Sequence, residues 1–371
     1  MNDLIPNLVS DGQILASVNG CLGLITLNRA QALNALSLGM VRDMTTLLKH
    51  WATRPEIQAV AVIGAGREGK APAFCAGGDI RFFHQAAHAG DPALADFFTE
   101  EYRLNHLIHS YPKPYIALMD GIVMGGGMGI SQGAKLRVLS DRSKLAMPET
   151  GIGLFPDVGG GWFLAQCPGH VGEWLALTGH AIAAGDAIEW SLGDVFVRSE
   201  QWAALVDDLR TGDQPSAEHV VATVMERVDL APTSDPKAAA ERIDRHFGLP
   251  TVAAILDSLA ASDDPWAQQT HAALLTRSPT MMAVTLELVR RGRKLSLADD
   301  LRLERDLVHH SFHLRGAARS ETVEGIRALA VDKDHHPRWN PAQVADIDAA
   351  EVAAFFVSPW TPEQHPLRDL E

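Results

Sequence analysis

The sequence predicts an α/β fold followed by a helical region. Residues 13 to 64 read strand, strand, helix, strand, which is how an α/β architecture begins. Beyond residue 200 strand patterns largely vanish, Ala is abundant, and turn clusters separate helical segments. We therefore predict an α/β portion over residues 1–200 and a helical region over 201–371.

The first elements follow from local patterns. Residues 13–27, QILASVNGCLGLITL, contain an Asn-Gly pair between two apolar runs, as in two short strands joined by a tight turn. Ser37 is placed to cap a helix with an apolar stripe that ends near Pro55. The run AVAVIG at 59–64 predicts the next strand.

Later elements are predicted in the same way. We expect a strand at 114–119, a helix before it around DFFTEEYRLNHLIHSYPKP, and a short strand at 195–197. Ser278-Pro279 begins a helix that Gly292 ends. Turns are predicted at three places in the second half: Gly212 to Pro215, Ser234 to Pro236 and Asp263 to Pro265.

The composition of the chain excludes some classes of partner. The chain has 371 residues, 46% hydrophobic, with a formal net charge of -14, which argues against nucleic acid as a partner. A small anionic ligand stays compatible with this charge, because local dipoles and a few Arg residues reverse the sign of the potential within one cleft.

Three cysteines without CxxC spacing indicate a reducing compartment. With no basic leader and no apolar run of bilayer length, we expect a cytosolic protein, or a mitochondrial matrix protein if a leader has been trimmed.

Three motifs suggest cofactors or nucleophiles that the rest of the sequence does not support. GAGREG, Gly64 to Gly69, matches the dinucleotide fingerprint, but Pro72 discourages the helix that the fingerprint needs, so we expect no nicotinamide cofactor. His309, His310 and His313 have metal-ligand spacing but no carboxylate between them, which favours a solvated helix surface and no metal site. Cys75 is expected to be a small buried residue.

Two glycine-rich stretches are candidates for oxyanion binding. FCAGGDIR, Phe74 to Arg81, precedes a helix, and Gly125 to Gly127 connect a strand to a helix. Such a turn exposes amides at the positive end of a helix dipole, where a developing oxyanion is stabilised. The alternative is close packing of helix on sheet, where only glycine fits.

The stretch MPETGIGLFPDVGGGW, Met147 to Trp162, carries the candidate acids Glu149 and Asp157. Fully extended, eight residues span roughly 26 Å. Gly151, Gly153 and Pro156 permit the backbone to fold back so that both acids face one apolar pocket, where burial shifts pKa values. The alternative is a turn aspartate and a solvated glutamate. Glu101, on a helix, has the same ordinary alternative of a solvated residue.

In their order along the chain, FCAGGDIR, MGGGMG, MPETGIGLFPDVGGGW and LTGHAIAAGDA resemble the crotonase superfamily of CoA-thioester enzymes. The resemblance covers residues 14–200 and resumes at SPTMMAVTLELVRRG and GIRALAVDKDHHPRWNP. It implies a crotonase-like ββα superhelix, the fold shared by ClpP and the crotonases, with a helical C-terminal region. The motifs are most similar to the branch that hydrolyses short β-hydroxyacyl-CoA thioesters, with 3-hydroxyisobutyryl-CoA of valine breakdown as the implied substrate.

The resemblance also implies roles for individual residues. Gly78 and Gly126 match the two amide donors of the oxyanion hole, and Glu149 and Asp157 match the acid pair. Glu101, with Gly126, Glu149 and Asp157, matches the positions that bind the acyl group. The positions that receive CoA are Ala32, Leu33, Ala76, Ile80 and Arg81, the last of which would meet phosphate. Ala30 and Gln31 stand where Pro and Lys are frequent, so one basic contact with CoA is absent.

Gly129 decides between reaction types within the resemblance. In the related enoyl-CoA hydratases this position carries one of two glutamates that add water across a double bond, whereas Glu149 with Asp157 suits attack on the carbonyl itself. Hydrolysis is therefore expected, with Glu149 as nucleophile or as general base. The alternatives are an enoyl-CoA hydratase or isomerase and a non-catalytic acyl-CoA or RNA binder. No cofactor is expected, since CoA is part of the substrate; neither nucleic acid nor membrane is an expected partner, and the oligomeric state is open.

Overall fold

The computed structural model describes residues 4–67, 69–232 and 236–371. Within these ranges the strands form a seven-stranded mixed sheet and a three-stranded sheet. The strands are Ile14–Asn19 (β1), Leu22–Leu27 (β2), Ala59–Gly64 (β3), Ala73–Cys75 (β4), Tyr115–Met119 (β5), Ile122–Met124 (β6), Leu136–Leu139 (β7), Lys144–Ala146 (β8), Val195–Val197 (β9) and Val228–Asp229 (β10).

Helices occupy most of the remaining described chain, and two thirds of them follow residue 165. They are Leu38–Ala52 (α1), Ile80–Ala89 (α2), Ala93–His109 (α3), Gly126–Gln132 (α4), Gly160–Ala165 (α5), Val171–Thr178 (α6), Ala184–Glu189 (α7), Ser199–Thr211 (α8), Ala217–Met225 (α9), Pro236–Phe247 (α10), Val252–Ala260 (α11), Pro265–Leu274 (α12), Pro279–Gly292 (α13), Leu297–His313 (α14), Glu321–Ile326 (α15) and Ala349–Phe355 (α16). No helix of the described ranges is long and apolar enough to cross a membrane.

The chain divides into two compact units, each made of separate stretches of sequence. The first unit comprises residues 1–78, 103–145 and 182–234. Its large sheet has the order β1-β2-β3-β5-β7-β9-β10, with β1 antiparallel to β2 and the strands from β2 to β9 parallel. One face of this sheet packs against Trp202 and Leu205 of α8 and Val220 of α9, which forms a closed apolar core.

The second unit comprises residues 79–102, 146–181 and 235–371 and is built from helices. Its centre is α13, which packs against α5 and α6. Gly292 and Gly161 make this approach close, because a Cβ at Gly292 would lie 2.1 Å from the Gly161 carbonyl oxygen. The unit thus packs the Met147 to Trp162 stretch directly against the C-terminal third of the chain.

Most predicted elements are present. The β1–β2 hairpin, β3, β5, β9 and α13 lie where the sequence places them, and Ser37 caps α1 by accepting from the Met40 amide at 3.2 Å. No helix opens within Gly64 to Gly69, whose residue 68 lies outside the described part. In the predicted Ser234 to Pro236 turn, residues 234 and 235 also lie outside it. Because the two units are discontinuous in sequence, the domain boundary near residue 200 stays a prediction.

Candidate active site

The two glycine-rich stretches meet in the first unit. Strand β4 runs parallel to β6, with Cys75 opposite Val123, so the residues that follow each strand are neighbours. A Cβ at Gly77, whose φ is +107°, would lie 3.6 Å from the Gly126 amide nitrogen. A Cβ at Gly127 would lie 2.3 Å from the Cys75 carbonyl oxygen, which is impossible. The structure therefore brings the predicted donors Gly78 and Gly126 to the same corner, where the neighbouring positions 77 and 127 require glycine.

The amides of this corner are available to a ligand. Gly125, with φ 50° and ψ -122°, precedes α4 and provides no side-chain cap. Its carbonyl accepts from Met128 and Gly129, at 2.8 and 3.1 Å. Within the described residues neither the Gly78 amide nor the Gly126 amide donates to a side chain. Amides at the start of a helix without protein acceptors are suited to an anionic oxygen.

The residues that the resemblance assigns to CoA fall into two sets. In the first unit, the Ala76 amide donates to the Leu33 carbonyl at 3.0 Å, and Ala32 ends the short 3-10 helix just before Leu33. Leu33 has a left-handed φ of 52°, which turns the chain at this point. In the second unit, Ile80 and Arg81 open α2 behind the cap Asp79, and Arg81 is exposed.

The predicted acids lie together in the second unit. Glu149 begins a 3-10 helix, Gly153 has a left-handed φ of 68°, and the Leu154 amide returns to the Glu149 carbonyl at 3.0 Å. The chain therefore folds back as predicted. Both carboxyls are only 6% exposed. Within the described chain Glu149 Oε2 has no hydrogen-bond partner, whereas Asp157 Oδ2 accepts from the Tyr102 hydroxyl at 2.9 Å.

Glu101 joins this acid group from α3. It is buried, and its Oε1 has no hydrogen-bond partner in the described chain. Burial, followed by the charges of Asp157 and Glu149, raises the pKa of Glu101 well above its usual range. The ordinary interpretation of Glu101 as a solvated helix residue is therefore wrong, and its place among the residues that bind the acyl group stays a prediction.

Burial also raises the pKa values of the other two acids, Glu149 and Asp157. The pKa of Glu149 lies well above its usual range because the group is desolvated and because Asp157 is nearby. Burial raises the pKa of Asp157 to about 7, although the hydrogen bond from Tyr102 lowers it. Three buried carboxyls that repel one another cannot all ionise near neutral pH, so the group holds protons that a reaction can use.

Three residues of this neighbourhood were not predicted. Tyr102 binds Asp157, and two acids of α14, Asp300 and Glu304, accept hydrogen bonds from the amides that follow Asp157. Tyr102 follows the recognised Glu101, so adjacency is a weak signal for it. Nothing in the local pattern of α14 distinguishes its two buried acids from solvated ones.

The other candidates take no part in this group. His309 stacks on His313 with ring centroids 4.3 Å apart and contacts Trp360, as a packed helix surface does. Cys75 is buried, with its Sγ 3.7 Å from the Gly77 carbonyl oxygen. In the part of the chain that the structure describes, no group of three His, Cys, Asp or Glu residues could hold a metal ion.

Comparison with known proteins identifies the family. The family model described as enoyl-CoA hydratase/isomerase matches residues 22–356. The chain belongs to the enoyl-CoA hydratase/isomerase family. A relative from Xenopus tropicalis, named 3-hydroxyisobutyryl-CoA hydrolase, mitochondrial, is 40% identical over 94% of this chain and 90% of its own length.

Two solved structures of the enoyl-CoA hydratase/isomerase family share the fold over nearly the whole chain. A carnitinyl-CoA dehydratase from Mycobacterium thermoresistibile has a TM-score of 0.86 at 37% identity, covering 97% of this chain and 99% of that one. An enoyl-CoA hydratase from Rhodobacter sphaeroides 2.4.1 has a TM-score of 0.83 at 36% identity, covering 94% and 98%. The predicted crotonase-like fold is therefore confirmed.

Proposed function

We propose that this chain hydrolyses a short β-hydroxyacyl-CoA thioester, 3-hydroxyisobutyryl-CoA, to 3-hydroxyisobutyrate and free CoA. The observation that carries the proposal is the buried acid group of Glu149, Asp157 and Glu101, with its raised pKa values. The 40% identity to a relative named for this hydrolysis supports the same substrate.

The proposed chemistry assigns one task to each set of residues. The amides of Gly78 and Gly126 stabilise the thioester oxygen as it becomes negative, which is worth several kcal/mol when donors are preorganised. Glu149 attacks the carbonyl carbon to form an anhydride, or it removes a proton from the attacking water. The carbon–sulfur bond then breaks, and the leaving thiolate of CoA takes a proton. On the anhydride path a water molecule then hydrolyses the anhydride, which releases the acid and restores Glu149.

Asp157 is suited to that proton transfer. A carboxyl with a pKa of about 7 is present in both forms near neutral pH, so it can give a proton to the thiolate and recover one from water. The Tyr102 hydroxyl holds its Oδ2 in place. Glu101 is proposed to bind the hydroxyl of the acyl group, because its unpaired buried Oε1 needs a donor. CoA is proposed to rest on Ala32, Leu33, Ala76 and Ile80, with Arg81 at a phosphate, and no cofactor is required.

Release of free CoA tests the proposal. A panel of short acyl-CoAs is incubated with the enzyme and the new thiol is measured; 3-hydroxyisobutyryl-CoA is expected to react fastest. No release from any member would contradict hydrolysis. A single turnover in oxygen-18 water then separates the two roles of Glu149, because label enters its carboxyl only if an anhydride forms.

Hydration of an enoyl-CoA is the second candidate. Two observations favour it: the names of the two solved structures, and Glu101, which supplies a second glutamate beside Glu149 although Gly129 carries no carboxylate. Crotonyl-CoA distinguishes the candidates. Loss of its conjugated absorbance without free thiol would replace hydrolysis by hydration.

Location and assembly are proposed only in outline. All three cysteines are buried and none forms a disulfide among the described residues, which suits a reducing compartment, either the cytosol or, as in the name of the Xenopus relative, mitochondria. Cell fractionation with an antibody decides between them. Light scattering on the purified chain measures whether it forms a homo-oligomer.

A further inference from the structure

The turn after Asp157 is held by an element far away in the sequence. Glu304 of α14 accepts from the Gly159 amide at 2.7 Å and from the Gly161 amide at 3.0 Å, one to each carboxyl oxygen. Asp300, one helical turn earlier, accepts from the Trp162 amide at 2.8 Å. Both acids are completely buried. Three backbone donors just after the proposed reactive Asp157, the amides of residues 159, 161 and 162, are thus bound by two buried carboxyl groups.

The turn does not hold this shape by itself. Val158 is a β-branched residue with a left-handed φ of 57°, and Gly159 is left-handed at 88°. Gly159 caps α5 without a side chain. The Gly160 amide donates to the Asp157 carbonyl and the Trp162 amide to the Gly159 carbonyl, but within the described chain the Gly159 and Gly161 amides have no backbone acceptor. A buried amide without an acceptor loses the hydrogen bond to water that it makes in the unfolded chain, which destabilises the fold. The acids of α14 therefore supply what the local sequence lacks.

The packing around the turn is shaped to admit these acids. A Cβ at Gly161 would lie 2.5 Å from Asp300 Oδ1 and 2.8 Å from Leu288 Cδ1, so only glycine lets α14 come this close. On its other side, the Asp157 carbonyl accepts from the Gly160 amide at 2.8 Å, and the Asp157 carboxyl accepts from Tyr102. Asp157 is therefore held through its backbone by the turn and through its side chain by Tyr102.

We infer that Glu304, with Asp300 beside it, is a positioning residue of the proposed hydrolysis: it binds the amides after Asp157 and so fixes where the Asp157 carboxyl points. The inference rests on the proposed function for its kinetic consequence and on geometry for its structural one. Glu304 acts through Asp157 and does not touch the substrate. Burial, followed by the charges of Asp300 and Asp157, raises the pKa of Glu304 well above its usual range.

The kinetic test uses Glu304→Gln, which keeps the volume but points an amide donor at one of the two backbone donors. Because a displacement of about 1 Å costs about 100-fold in rate, we expect kcat to fall about 30- to 100-fold while KM changes less than about threefold. In an Asp157→Asn background the same substitution should lower kcat by less than about twofold, since its target is already lost. Equal losses in both backgrounds, or full activity of Glu304→Gln, would overturn the inference.

Glu173→Gln is the matched control. Glu173 is a completely buried glutamate of the same unit, bound by Arg293 at 2.6 and 2.9 Å, and its hydrogen-bond partners within the described chain lie outside the Asp157 turn. We expect it to lower thermal stability as Glu304→Gln does but to leave kcat within about twofold. If Glu304→Gln does not fold, Glu304→Asp replaces it; this variant retains the charge at a shorter reach, and we expect about a tenfold loss of kcat at unchanged KM.

A substrate-free measurement keeps the inference testable if no thioester is cleaved. The chain has three tyrosines, so carbon-13 labelling at tyrosine Cζ gives three resonances, of which Tyr102→Phe assigns one. Glu304→Gln should shift the Tyr102 resonance and leave the other two in place, and it should speed amide hydrogen exchange of residues 159–162 at least about tenfold. An unshifted resonance with unchanged exchange would overturn positioning, whereas an inactive wild type with a shifted resonance would count against the hydrolysis alone.

Discussion

The two triple-glycine turns have similar sequences and opposite hydrogen bonding. Gly125 to Gly127, in the first unit, precede α4, and within the described residues no side chain accepts from the Gly126 amide. Gly159 to Gly161, in the second unit, lead into α5, and the amides of Gly159, Gly161 and Trp162 donate to Glu304 and Asp300. A glycine turn before a helix therefore does not by itself predict an anion site. The turn can bind an anionic ligand only if no side chain from a distant element already accepts from its amides.

In the proposal the first turn supplies the oxyanion donors and the second turn follows the reactive acids. We expect the largest loss of activity from a substitution among those acids. Glu149→Gln removes the only proposed nucleophile or base, so CoA release should fall about 1,000-fold or more. Titration calorimetry should show CoA affinity nearly unchanged, because the glutamate does not contact CoA in the proposal. A fully active Glu149→Gln enzyme would remove this acid from the reaction and leave the first turn without a partner in the mechanism.

The first turn is tested by Gly127→Ala. The new Cβ would lie 2.3 Å from the Cys75 carbonyl oxygen, so the turn must shift and its amides lose their alignment. We expect kcat to fall about 100-fold, as for loss of an oxyanion donor. Gly66→Ala is the control, since a Cβ at Gly66 meets nothing within 4 Å. Equal kcat in the two variants would mean that the turn serves packing only.

A smaller effect is expected for Tyr102→Phe, which removes the hydrogen bond to Asp157 but leaves the carboxylates of α14 in place. Hydrogen bonds to charged groups contribute about 1.5 to 3 kcal/mol, so a loss of at least about tenfold in kcat is expected. Tyr111→Phe is the matched control, because the Tyr111 hydroxyl is also buried and donates to the Leu48 carbonyl at 2.8 Å in the first unit. Measuring kcat of Tyr102→Phe and Tyr111→Phe at the same pH checks this prediction.

The smallest effect concerns stability. Burial raises the pKa of Asp300 to about 7 from 3.8, so the folded state binds its proton more tightly than the unfolded state does. Its contribution is favourable at low pH and is lost as the pH rises through about 7. Asp300→Asn should therefore lessen the loss of stability between pH 5 and pH 8, by about 1 kcal/mol or more. Denaturant unfolding at both pH values measures this, and parallel curves for the two proteins would contradict it.

The structural features that depend on residues close together in the chain could be predicted from the sequence. The hairpin, the Ser37 cap and the helix from Pro279 follow from local pattern, and the fold-back between Glu149 and Asp157 follows from Gly153, whose left-handed φ the chain uses. The order of the motifs was specific enough for the family. The three-residue strands β4, β6 and β8 were not recognised, because so short a strand carries no periodicity.

Contacts between distant residues could not be predicted. The bonds from Gly159 and Gly161 to Glu304 join residues 145 and 143 positions apart, and an acid on an amphipathic helix looks the same whether it faces water or buried amides. Glu101 shows the same difficulty, because its burial follows from how α3 packs and not from its neighbours in the chain. The roles of the individual site residues stay predictions until variants are measured.

The bonds from α14 have a practical consequence for protein engineering. The loop from Met147 to Trp162 is a continuous stretch of sixteen residues, which suggests that it could be grafted onto another scaffold to confer thioester cleavage. Grafted alone, it would lack the acceptors of its Gly159, Gly161 and Trp162 amides, and the position of its aspartate would no longer be fixed. The smallest transferable part is a discontinuous one, the loop together with the stretch of α14 from Asp300 to Glu304.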